Sequence, residues 1–141
     1  QISCYWKFFS EEFVEYCGDI FQDTFEATLE VRRLEALARS LVDGLSVWIR
    51  EGFRPQDERS PGIIAHERDR AARLIDVWET EVGHPAIQGA LDNMAQLTLI
   101  TALQLEHWNP DFEWRDGHPN LVSWAESLAD KPSIRETMPV G

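Results

Sequence analysis

The chain of 141 residues sets 13 Lys and Arg against 25 Asp and Glu, a formal charge of -12, and 43% of it is apolar with 11% aromatic. That composition supports one globular unit with a sizeable core, and the acidic balance excludes a binder that tracks nucleic-acid phosphates. No apolar run approaches the roughly 20 residues that span a bilayer, and no basic start leads into an apolar block, so a soluble chain without a membrane partner is expected.

Residues 1–9 are dense in aromatics and read as an extended segment. Ser10, Glu11, Glu12 and Phe13 then read as the start of a short helix, with Ser10 as its cap. Cys4 and Cys17 are too few for a disulfide scaffold or a zinc site, which points to a reducing, cytoplasmic setting. Residues 18–27 form a connector. From Thr28, the positions Val31, Leu34, Ala38, Leu41, Leu45 and Trp48 advance by threes and fours, which predicts one stripe of a long helix ending near Gly52, ahead of Pro55. After a polar turn, Ile64, Arg68, Ala71, Leu74 or Ile75, Trp78 and Val82 repeat that spacing up to Gly83-His84-Pro85. Two such helices joined by a short turn should run antiparallel.

A third helix is expected to start at Thr98 as its cap, with Leu99, Ala102, Leu103 and Leu105 buried; losing that cap should cost about 1 kcal/mol. The helix stops before Pro110. Pro119 and Pro132 suit first helical positions, where the missing N–H has no partner to lose, so each opens a further helix. Leu121, Trp124 and Leu128 make one face of the fourth. The expected fold class is therefore all-α: a bundle of about five helices over residues 28–141, preceded by a short strand-helix remnant in residues 1–27.

Trp114-Arg115, then Pro119-Asn120-Leu121-Val122-Ser123-Trp124, then Pro132-Ser133-Ile134-Arg135-Glu136-Thr137 stand in the order found at the end of the C-terminal domain of bacterial glutathione S-transferases, and the chain resembles that family. Val31-Arg32-Arg33-Leu34-Glu35 with Asp43-Gly44 is similar to the first long helix of that domain. Gln96-Leu97-Thr98-Leu99-Ile100-Thr101 is similar to its helix-start segment, with Thr101 where the family usually carries Asp. Phe9-Ser10-Glu11-Glu12-Phe13 resembles the end of the family's thioredoxin-like domain, which implies that Ser10 binds the γ-glutamyl carboxylate of glutathione.

The resemblance implies glutathione and a small electrophile as ligands and a homodimer as the assembly. In the family, the residue that activates the thiol lies early in the thioredoxin-like domain, and no residue of this chain takes that role. Because the chain starts at Gln1 rather than Met, a fragment of a longer protein is expected, with little or no transferase activity of its own. The helical domain contributes a wall of the electrophile pocket, for which Trp48, Ile49 and Phe53 are the candidates. The rival class is a non-catalytic protein-interaction module built on the same helical domain.

Other constellations carry less. His66, His84, His107 and His118 lack metal-ligand spacing, so no metal is expected, and a four-helix cofactor bundle lacks its Glu-x-x-His pair. Asp43 reads as solvated and Gly44 as a packing accommodation. Trp78, Trp108, Trp114 and Trp124 read as core. Arg115 is expected to hold its loop to a carboxylate.

Overall fold

The computed structural model describes residues 29–137. Five α-helices occur among them: α1 Leu29–Phe53, α2 Pro61–Glu81, α3 Met94–Gln104, α4 Pro119–Leu128 and α5 Pro132–Arg135. Short 3₁₀ turns at Gln56–Glu58 and Leu105–His107 fill two of the connections. None of these helices is long and apolar enough to cross a membrane. The all-α class and the helix number match the expectation.

Helix α1 buries the stripe that its spacing predicts, with Leu34, Ala38, Leu41, Leu45 and Trp48 all out of water. Its neighbour α2 starts on Ser60, whose hydroxyl accepts from the Ile63 N–H at 3.4 Å, and Pro61 occupies the first helical position. The contacts between α1 and α2 establish their direction. Arg33 meets Glu81, Ser40 meets Arg70, and Glu51 meets Ser60, so progress along one helix is retreat along the other. Gly44 leaves room for two α2 side chains: a Cβ there would lie 2.7 Å from a Glu67 carboxylate oxygen and 3.2 Å from the Arg70 guanidinium. Gly44 is thus the packing accommodation, and Asp43 beside it faces solvent.

Helix α3 packs across α1, and α4 packs on α2. One hydrophobic cluster fills the space between them, including Leu34, Trp78, Ile87, Leu99, Leu103 and Leu121. At roughly 1.5–3 kcal/mol for each fully buried large apolar side chain, this cluster dominates the favourable side of folding.

The start of α3 corrects the sequence reading. Its cap is Asn93, not Thr98: the Asn93 side chain accepts from the Gln96 N–H at 3.1 Å while the Gln96 side chain accepts from the Asn93 N–H at 3.2 Å. The reciprocal pair satisfies two backbone donors that a bare helix start would leave open. Thr98 lies a full turn inside, where the backbone donors already have helical partners. Thr101 does not serve a cap either, since its hydroxyl donates to the Leu97 carbonyl at 2.8 Å. Trp108 is a second correction. It is 48% exposed, because the tighter winding of the preceding 3₁₀ turn rotates it off the buried stripe, whereas Trp78, Trp114 and Trp124 are core.

Replacing Asn93 by Ala should lower the unfolding free energy by about 1–2 kcal/mol, and replacing Thr98 by Ala should change it by less than about 0.5 kcal/mol. Urea titration of the two variants followed by circular dichroism distinguishes the two caps.

Candidate functional site

The three residues expected at the electrophile pocket occupy the last two turns of α1, where they differ in exposure. Trp48 is 5% exposed, Ile49 8% and Phe53 72%. At 3.6 residues per turn, Ile49 and Phe53 fall on one side of α1, whereas Trp48 and Phe53 stand about 140° apart around its axis. Trp48 therefore faces inward across α2 while Phe53 projects from the helix end. That end is held by Glu51, whose buried carboxylate accepts from the Ser60 N–H at 2.9 Å and pairs with Arg54 at 3.4 Å. Ser10, the expected glutathione-binding residue, lies outside the described residues.

Trp48 lines a cavity of about 180 Å³ between α1, α2 and the loop that follows α3. Its apolar wall comes from Trp48, Ala71, Ile75, Phe112 and Trp114. At its edge, His118 Nε2 lies 3.0 Å from an Asp76 carboxylate oxygen, which ties the start of α4 to α2. Glu79, one turn further along α2, accepts from the backbone N–H groups of Asn120 and Leu121 at 3.0 and 2.9 Å. A carboxylate on unpaired N–H groups at a helix N-terminus is well placed. Arg115 makes the loop contact expected of it, pairing with Glu106, and its guanidinium also lies 4.2 Å from the Trp114 ring centre.

Phe112 was missing from the sequence-derived candidates, as were Asp111 and Glu113 beside it. The available signal was alternation: Asp111 and Glu113 are exposed, while Phe112 and Trp114 are buried. So short a segment, outside any helix, carries too few residues for periodicity to stand out.

A second, more polar groove of about 400 Å³ runs along α1, lined by Arg32, Glu35, Arg39, Ser40, Asp43 and Arg70. At one end of this helix pair, Arg33 donates to both oxygens of Glu81, at 2.9 and 2.8 Å, and to Glu30 at 2.9 Å. The Arg33 hydrogen bond holds the Glu81 carboxyl below its ordinary value, and the same contacts raise the arginine further above neutrality. Among the described residues, no group of three or more His, Cys, Asp or Glu side chains is arranged to hold a metal ion.

These features are those of a helical bundle whose first long helix leaves an apolar side chain exposed at its end, and known proteins share that bundle. No family model matches the chain. A GST-like protein of Escherichia coli K12, YibF, itself uncharacterised, is 29% identical over 115 residues, covering 79% of this chain and 56% of that protein. The solved structure of a glutathione transferase family member from Pseudomonas fluorescens Pf-5, with bound S-(propanoic acid)-glutathione, superposes with a TM-score of 0.71 at 26% identity, over 79% of this chain and 57% of its own. A glutathione S-transferase from Methylobacillus flagellatus KT with glutathione bound shares the fold at a TM-score of 0.71 and 22% identity, over 86% of this chain and 61% of its own. The chain is thus similar to members of the glutathione transferase family, and residues 29–137 form the all-helical bundle that superposes on them. It spans a little over half the length of the relatives it matches.

The Arg33–Glu81 contact predicts a pH dependence. Because the Glu81 carboxyl titrates lower in the folded chain than its ordinary 4.5, its stabilisation is complete above that value and is lost as pH falls through the lower folded value. Glu81→Gln should therefore differ from the wild type in unfolding free energy by a constant amount at neutral pH. The difference should vanish in acid, as read by denaturant titrations across the acid range.

Proposed function

We propose that this chain is the electrophile-side helical part of a glutathione transferase, and that glutathione is held by a thioredoxin-like domain whose last residues are 1–27. In this reading Ser10 binds the γ-glutamyl carboxylate, and the assembly is a cytoplasmic homodimer. The observation that carries the reading is the match over 79% of the chain to a transferase that binds a glutathione conjugate. Phe53 supports it as well. A large apolar side chain left 72% exposed at the end of α1 suits a pocket wall that a second domain completes. Ile49, one turn earlier, continues that wall, and Trp48 braces it from the other side of the helix.

The reaction in view is conjugation. The glutathione sulfur forms a bond to an electrophilic carbon, the leaving group departs with its electron pair, and the thiol proton passes to solvent. A free thiol near pKa 8.5 is only a few per cent ionised at neutral pH, so the glutathione-binding domain must stabilise the thiolate. The part of the helical domain is different: an apolar wall orients the electrophile and excludes water from the attacking anion.

In a chlorodinitrobenzene assay, the 141-residue chain alone should show no conjugation above the uncatalysed background. Joined behind a thioredoxin-like glutathione-binding domain, it should conjugate, and Phe53→Ser in that fusion should raise KM for the aryl halide by roughly threefold to tenfold with a smaller change in kcat. Conjugation by the chain alone would remove the division of labour. A folded fusion that binds glutathione yet does not conjugate would favour the non-catalytic interaction module.

A further inference from the structure

The cavity behind α1 has a composition that the transferase reading does not use. Its walls include three buried aromatic rings, those of Trp48, Phe112 and Trp114. Three carboxylates, Asp76, Asp111 and Glu113, line the same cavity and are themselves exposed, so they stand at its mouth. Asp111 and Glu113 flank Phe112 in sequence, so the loop that sends the ring inward presents an acid on each side of it. Neither has an ion-pair partner among the described residues. Against these acids stands one lining guanidinium, Arg68, which is turned to its neighbour Asp69 at 3.5 Å. The three acids outnumber the basic groups at the mouth, which therefore carries a net negative charge.

Aromatic faces carry negative quadrupole potential, and carboxylates at the rim add to it, so both features favour the same ligand charge. Trp114 already accepts a cation in this protein, since Arg115 lies over its ring, and Arg115 lines the neighbouring cavity rather than this one. The volume of about 180 Å³ is room for about six waters at liquid density, or for one compact ligand. We propose that this cavity binds a small organic cation, an alkylammonium of about the size of choline, with its charged head among Trp48, Phe112 and Trp114 and its attraction reinforced by Asp111 and Glu113. The overall charge of -12 raises the local concentration of such cations.

The experiment is calorimetric titration of the 141-residue chain with choline chloride, with tetramethylammonium chloride, and with dimethylbutanol, the neutral carbon isostere of choline. Both cations should bind, and the neutral isostere should bind at least about tenfold more weakly. Asp111→Asn with Glu113→Gln, two exposed positions whose replacement leaves the packing intact, should weaken choline severalfold without changing the circular dichroism spectrum. Equal binding of choline and dimethylbutanol would overturn the proposal, as would no choline binding at tens of millimolar, or unchanged binding by the double variant.

Discussion

A buried amide sets the arrangement of half the domain. Gln96 is completely removed from solvent, and an unsatisfied amide there would cost on the order of 1–3 kcal/mol. Its oxygen accepts from the backbone N–H groups of Asp92 and Asn93, and its nitrogen donates to the Ile87 carbonyl at 3.0 Å. The same carbonyl accepts from the indole N–H of Trp124 at 2.9 Å, and Asn93 donates to the Ala86 carbonyl at 2.7 Å. One small network thus joins the connection after α2, the start of α3 and the inner face of α4. Because its links are buried or part-buried, displacing any of these elements exposes partners of the other two, which makes their positions interdependent.

The α1–α2 pair is governed differently, by close approach and by charge. Gly44 lets the Glu67 and Arg70 side chains lie against α1, and Arg70 then donates to both the hydroxyl and the carbonyl of Ser40. The pair is pinned near its two ends by Arg33–Glu81 and Glu51–Ser60. Of these, Glu51 is the more consequential. Its carboxylate is nearly buried, whereas Arg33 is 43% exposed and its ion pair is weakened by solvent. The end of α1 that bears Phe53 is therefore the better fixed of the two.

Helices were legible where burial repeats. Leu34, Ala38, Leu41, Leu45 and Trp48 announce α1 because a helix must hide such a stripe, and Pro61, Pro119 and Pro132 each stand in a first helical turn where proline costs nothing. The start of α3 was not legible. Thr98 and Asn93 are both acceptable caps, and the choice between them is made by Ala86 and Ile87, carbonyls that only the folded connection brings near. Helical spacing also sets Trp48 apart from Phe53. Five positions along a helix look close in a sequence, yet they turn the two rings to different sides of α1.

That separation determines how the aromatic cavity and the exposed end of α1 relate energetically. Carboxylates at a wetted mouth act through a high dielectric, where a charge pair 4 Å apart is worth about 1 kcal/mol and salt screens it further. A cation pressed against desolvated aromatic faces gains about 2 kcal/mol or more, with little sensitivity to salt. Discrimination between a charged and a neutral guest therefore resides chiefly in the rings of Trp48, Phe112 and Trp114, while Asp111 and Glu113 govern how often a cation arrives.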